Sequence, residues 1–180
     1  MAAAVVVLAV VLVGLALSVV SYNGLVRRDQ VDSAWSQVDM ELRRRSELIP
    51  NLVETVNGYA GHERGTVDAV TEARTRAIGA HGPVQQGSAE SALTGALKSL
   101  FAVVESYPDL RASQRFIELQ QELSATQDRA AYARQYYNDA VLTYNNAVTA
   151  APQRILVAIF RFRTRDYFQA GREELGPVRV

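Results

Sequence analysis

An all-α fold, an elongated antiparallel up-and-down helical bundle with an N-terminal transmembrane helix, is what this sequence predicts, and three patterns predict it. The run Ala2 to Val20 carries no charge. From Val31, apolar residues recur at alternating steps of four and three through Trp35, Val38, Leu42, Ile49, Leu52, Val56 and Tyr59. From Phe116 to Ala147 they keep a heptad spacing. The two repeating patterns place one apolar stripe on one face of a helix.

The uncharged run spans roughly 28 Å at about 1.5 Å per residue, enough to cross a bilayer. Tyr22 follows at interfacial depth, and the first charges are Arg27 and Arg28. A cleaved signal peptide is the rival reading, with Ala16, Leu17 and Ser18 as the cleavage region. Against it, no basic residue precedes the run, and the run exceeds a signal-peptide core in length. Arg27, Arg28 and Arg43 to Arg45 all lie on the C-terminal side. The positive-inside tendency therefore predicts an outside N-terminus and a cytoplasmic body in the cell membrane. Residues 1–24 are the expected anchor, 25–151 the bundle, and 152–180 a short helix with a basic and aromatic tail.

On the first bundle helix only Arg45 occupies a seam position without being apolar. Pro50 lies inside the pattern, where its missing N–H should free a carbonyl near Ser46 and bend the helix. Gly58, Gly61 and Gly65 weaken the pattern before Val67, Val70, Ala73 or Arg74, and Ala77 resume it. The pattern reads as one rising helix to about Ile78; the alternative is a break near Gly61 that makes the order up, down, up, down. Gly79, Gly82, Pro83, Gly87 and Ser88 mark a loop, with Ser88 as the next cap. Leu93, Leu97, Leu100 and Val104 give a shorter helix, ended by Tyr107 and Pro108 with Asp109 as a cap. In the heptad stretch, Ala130, Ala133 and Ala140 allow a neighbour to approach closely, while Tyr137 and Tyr144 need partners for their hydroxyls. Pro152 stops this helix and opens a last short one through Ile155, Leu156, Ile159 and Phe160.

Composition narrows the chemistry. Net charge is zero, so no global field draws nucleic acid, and there is no cysteine for a disulfide, a thiolate metal site or a thiol nucleophile. His62-Glu63 begins like a zinc-protease helix, but Thr66 stands where the second histidine belongs. His81 is the one other histidine, and the glycine-rich stretch around it lacks the lysine and hydroxyl of a phosphate loop. No catalytic residue, metal, cofactor or small-molecule substrate is implied, and the enzyme class has no nucleophile and base to stand on.

Three segments resemble the LemA family of bacterial membrane proteins. The first runs from Tyr22-Asn23 through Trp35 to Leu42-Arg43-Arg44-Arg45 and Leu48-Ile49-Pro50-Asn51-Leu52-Val53. The second joins Tyr107-Pro108-Asp109-Leu110 to Ala133-Arg134-Gln135-Tyr136-Tyr137-Asn138 and Tyr144-Asn145. The third is Phe160, Phe162, Tyr167 and Phe168. The resemblance covers nearly the whole chain and implies a single-pass anchor carrying a helical domain, with no agreed enzymatic activity. It also implies association with envelope stress and membrane metalloproteases. Departures are Gln127 where the family usually has glutamate, Ser46 where it often has a bulky residue, and Ala151 where an aromatic often precedes Pro152.

What remains are interaction features. Arg43, Arg44 and Arg45 point in three directions from one turn, so at least one leans toward the seam. They form either a solvated basic face or, through Arg44 and Arg45, a docking site beside Pro50 and Asn51. Asn138 and Asn145, seven residues apart, either satisfy neighbours in the core or line a contact with a partner. Arg154, Arg161, Phe162, Arg163 and Arg165 suit an anionic membrane surface, the alternative being that the tail packs on the bundle. The expected function is a membrane-anchored interaction or scaffold protein, whose partners are the lipid bilayer and either another protein or a second copy. The alternative is a regulatory or signal-transducing subunit of an envelope-stress or membrane-protease system.

Overall fold

The computed structural model describes residues 2–60, 63–149 and 163–169, with most side chains of 2–25 outside the description. It is an all-helical bundle, and no strand occurs among the described residues. Helix α1 spans Ala2–Tyr59, α2 Arg64–Gly79, α3 Gly82–Val104, α4 the single turn Pro108–Arg111, and α5 Gln114–Thr149.

The single helix expected to about Ile78 is a correction: α1 ends at Tyr59 and α2 begins at Arg64, in the stretch that Gly58, Gly61 and Gly65 weaken, so the order is up, down, up, down. Helices α1 and α5 run antiparallel: Glu41 meets Arg129, Arg44 meets Glu122, and Glu54 meets Arg115. Arg74 of α2 reaches Ser46 on α1, and Glu90 of α3 lies beside Arg45. At about 24 and 34 Å, α2 and α3 flank only the upper part of the long α1/α5 pair.

Two cores result. The upper one joins Ile49, Leu52 and Val56 of α1 to Val67 and Val70 of α2, Leu93, Leu97 and Leu100 of α3, Leu110 of α4, and Phe116, Leu119 and Leu123 of α5. The lower one packs Val31, Ala34, Val38 and Leu42 against Ala130, Ala133, Tyr137, Ala140, Val141, Tyr144 and Val148, and Phe168 of the C-terminal segment closes it. The alanines bring α1 and α5 together here, as the small-residue stripe predicts.

The predicted seams hold with small shifts at their ends. Tyr59 is 51% exposed and Ala60 takes the buried place. On α5 the buried stripe moves from Ala147 to Val148, because a helix of 3.6 residues per turn drifts from a strict heptad.

The expected loop from Gly79 to Ser88 is a correction. Only Ala80 and His81 separate α2 from α3, and Ser88 lies inside α3 instead of capping it. Gly82 supplies a left-handed turn at φ 76°, and Pro83 occupies the first turn of the helix, where its missing N–H costs nothing. Asp109 likewise sits within the turn of α4, and Ser113 opens α5 by accepting from the Ile117 amide.

Among the described residues no helix is long and apolar enough to cross a membrane. Most side chains of the run Ala2 to Val20, where the anchor is expected, lie outside that description, as do residues 150–162 and the short last helix expected there.

Candidate interaction site

Arg45 turns into the bundle. Its side chain is 5% exposed, and its guanidinium donates at 2.9 Å to Glu90 Oε2 and at 3.0 Å to Thr94 Oγ1, with Gln127 Oε1 at 3.5 Å. Glu90 is fully buried, and Gln86 donates to its other oxygen at 3.3 Å. Charges so deep need both a counter-charge and hydrogen bonds, and this node supplies them except at Arg45 Nε, which has no partner. A groove of about 230 Å³ between α3 and α5 adjoins it, lined by Thr94, Phe101, Gln120, Ser124 and Gln127. Arg44, by contrast, is exposed and lies 3.7 Å from Glu122.

Pro50 and Asn51 are exposed on α1, which continues as helix through the proline. The carbonyl that Pro50 cannot serve is that of Ser46, four residues earlier. It does not go unpaired as expected: Arg74 Nε donates to it at 2.8 Å, tying α2 to α1.

Asn138 and Asn145 share one task. The Asn138 side chain donates to the Phe168 carbonyl at 3.1 Å and accepts from the Phe168 amide at 2.9 Å. Asn145 treats Arg165 the same way, at 2.9 and 2.8 Å. Each asparagine thus pairs with one backbone residue as a neighbouring strand would. Between them the Tyr137 hydroxyl donates to the Asp166 carbonyl at 2.8 Å.

Arg165 reaches Asp32 of α1 at 2.9 Å, and Phe168, 3% exposed, lies under the Arg134 guanidinium and beside Trp35. Trp35 also meets the Tyr137 ring at 5.2 Å. Burial pushes the Tyr137 hydroxyl above its usual pKa, against a lowering from Arg165, and burial raises Tyr144 as well. The Tyr137 hydroxyl therefore stays a neutral donor through physiological pH.

Of the tail residues expected to touch membrane, Arg163 is exposed and Arg165 is held by the bundle. Arg154, Arg161 and Phe162 lie outside the described residues. Sequence reasoning missed Glu90, Arg74 and Gly87. A signal existed for Glu90: Gln86, Glu90, Leu93, Leu97, Leu100 and Val104 keep steps of four and three, so an acid occupies a seam position on α3 as Arg45 does on α1. Among the described residues no three acidic or histidine side chains are grouped to hold a metal ion, and His62 is outside that set.

Fold and site together define a four-helix bundle with a buried ion pair at its centre and an extended C-terminal segment clamped to its lower half. The chain belongs to the LemA family, whose signature matches residues 34–180. It is 28% identical over 160 residues to magnetosome protein MamQ 2 of Paramagnetospirillum magneticum, covering 74% of this chain and 59% of that one. Magnetosome protein MamQ of Magnetospirillum gryphiswaldense is 27% identical over 174 residues, 82% of this chain and 64% of its own. Protein LemA of Metamycoplasma hominis is 25% identical over 131 residues, 70% of this chain and 58% of its own. The chain thus spans about three fifths of the length of the curated relatives it matches.

Proposed function

We propose that this chain is a membrane-anchored interaction protein of the LemA family, held in the cell membrane by residues 1–24 with its N-terminus outside and its bundle in the cytoplasm. The observation that carries this reading is the continuity of α1. The uncharged run Ala2 to Val20 passes without a break into the helix that forms one wall of both cores. A bundle so fused to an apolar helix is a rigid post rather than a tethered domain. Its contact surface includes Arg44, Pro50 and Asn51, exposed on one stretch of α1, while Arg45 serves the interior.

The test uses the absence of cysteine. Ser88→Cys, at an exposed site of α3, should resist a membrane-impermeant thiol reagent in intact cells and react after lysis. Ready labelling of intact cells would reverse the orientation. Deleting residues 1–24 should move the protein from the membrane fraction to the soluble one, and retention would remove the anchor. Purification from membranes with crosslinking separates two roles. Homo-oligomers support a scaffold, and a distinct stoichiometric protein supports a regulatory subunit.

A further inference from the structure

Helix α5 packs along α1 and α3 along α2, whereas α3 and α5 stand apart beside Arg45 and leave the groove of about 230 Å³ between them. Its inner end is polar: Arg45 and Thr94 are buried there and Gln127 is half-buried. Its walls are apolar, from Leu97, Phe101 and Leu123, and Lys98, Gln121 and Ser124 are exposed at the mouth. Thr94 and Phe101 are seven residues apart on α3, as Gln127 and Gln120 are on α5, so the groove runs about 10.5 Å from the Arg45 end.

The chemistry of that inner end is unfinished. Arg45 donates through Nη1 to Glu90 and through Nη2 to Thr94, while its buried Nε has no partner. Gln127 Oε1 lies 3.5 Å from Nη2, at the outer limit of a hydrogen bond. Nε and Nη2 form one edge of the planar guanidinium, the edge to which a carboxylate binds with both oxygens. The lining holds two cations, Arg45 and Lys98, and no acid, and Glu90 is fully buried outside it. The groove is therefore complementary to an anion at the depth where a charge-assisted hydrogen bond is strongest.

Size and shape fix the rest of the ligand. The volume is about half as large again as the roughly 150 Å³ cavity that takes benzene. A ring or short chain fits beside one carboxylate, with the Phe101 ring at the far end of the groove to meet it.

We propose that this groove binds a small amphipathic monocarboxylate, its carboxylate on Nε and Nη2 of Arg45 and its aryl or alkyl body between Leu97 and Leu123. Such a molecule satisfies the one donor that the buried node leaves open, and it bridges the two helices that stand apart. The site lies away from the exposed stretch of Arg44, Pro50 and Asn51, and it holds whether or not residues 1–24 are an anchor.

The test titrates phenylpropanoate onto the full chain in uncharged detergent by isothermal calorimetry, with phenylpropanamide as the uncharged molecule of the same shape. The acid should bind saturably, one to one, and roughly tenfold or more tighter than the amide, the margin of a charged hydrogen bond over a neutral one. Equal or reversed affinities overturn recognition by Arg45. No saturable binding of either compound overturns the site.

Two variants locate the binding. Gln127→Glu keeps the shape of the side chain and sets a carboxylate beside Nη2, where it competes with the ligand and repels it. It should weaken the acid roughly tenfold or more and leave the amide within about twofold. An acid that binds this variant as tightly as the parent chain lies elsewhere, which overturns the assignment. Arg45→Met with Glu90→Leu removes both buried charges together and should bring the acid down to the affinity of the amide. A preference for the acid that survives in that variant, with helix content unchanged by circular dichroism, overturns the role of Arg45.

Discussion

A single arginine at a seam position decides much of the interior. Removing Glu90 as Glu90→Leu would leave the Arg45 guanidinium buried without its carboxylate, a loss of about 3–5 kcal/mol. Arg45→Met combined with Glu90→Leu should recover most of that loss, because two apolar side chains need no counter-charge. Urea titration of the full chain in detergent checks both, and a double variant as unstable as the single one would mean the pair contributes more than mutual neutralisation. Pro50 supports a second prediction. With the proline in place, Arg74→Ala should cost about 1–3 kcal/mol, since the Ser46 carbonyl then has neither an amide nor a guanidinium. In a Pro50→Ala background the restored amide serves that carbonyl, and the same change should cost about 1 kcal/mol less. Equal costs in both backgrounds would separate the two residues. Sequence reading located Arg45 and Pro50 but not their partners, which lie 45 and 28 residues away from Arg45 and Ser46. Periodicity reports which face a residue occupies and is silent on what faces it.

The elements themselves were largely legible, because a stripe of apolar residues at helical spacing has few other uses. Leu52 and Leu123 are buried where their seams put them, and Thr126 is fully buried at a heptad position, its hydroxyl donating to the Glu122 carbonyl. Leu52→Ala should therefore cost about 2–5 kcal/mol, with Leu119→Ala in the same range, measured as a shift of the denaturation midpoint. An unchanged midpoint would take either residue out of the core. Glycine and proline cluster from Gly79 to Ser88, which is the pattern of a loop. The glycines there serve different ends: Gly82 makes the turn, whereas Gly87 is helical and small so that the Gln169 backbone can come close. Only the position of the tail reveals the second purpose. The extended segment 163–169 carries no periodicity of its own. Its place is set by two asparagines that a sequence reader sees as polar residues on a helix.

At the scale of the molecule, the two cores differ in how they are closed. Five helices enclose the upper one, while the lower one depends on a single extended segment whose Phe168 fills it. Local opening should follow that division. Amides of α5 around Ala130 to Val148 are expected to exchange with solvent faster than those around Leu52 and Leu119, and uniform protection would argue for one cooperative unit. Alkaline pH supplies a second probe. Because burial raises the Tyr137 pKa, the stability that its neutral form contributes is fully present below the unfolded value of 10.0 and is lost as pH rises through the folded one. The phenolate can no longer donate to Asp166, so the segment should release in that range. Trp35, the one tryptophan in the chain, reports the change by its fluorescence, and Tyr137→Phe should abolish the step. The antiparallel course of the segment along α5 has a mechanical consequence. Tension applied beyond Gln169 meets the Phe168 pairing first and the Arg165 pairing second, so the tail unzips one asparagine at a time. The same tension applied along α1 loads every contact of the α1/α5 seam in shear at once, and the tail yields to a pull that the bundle withstands.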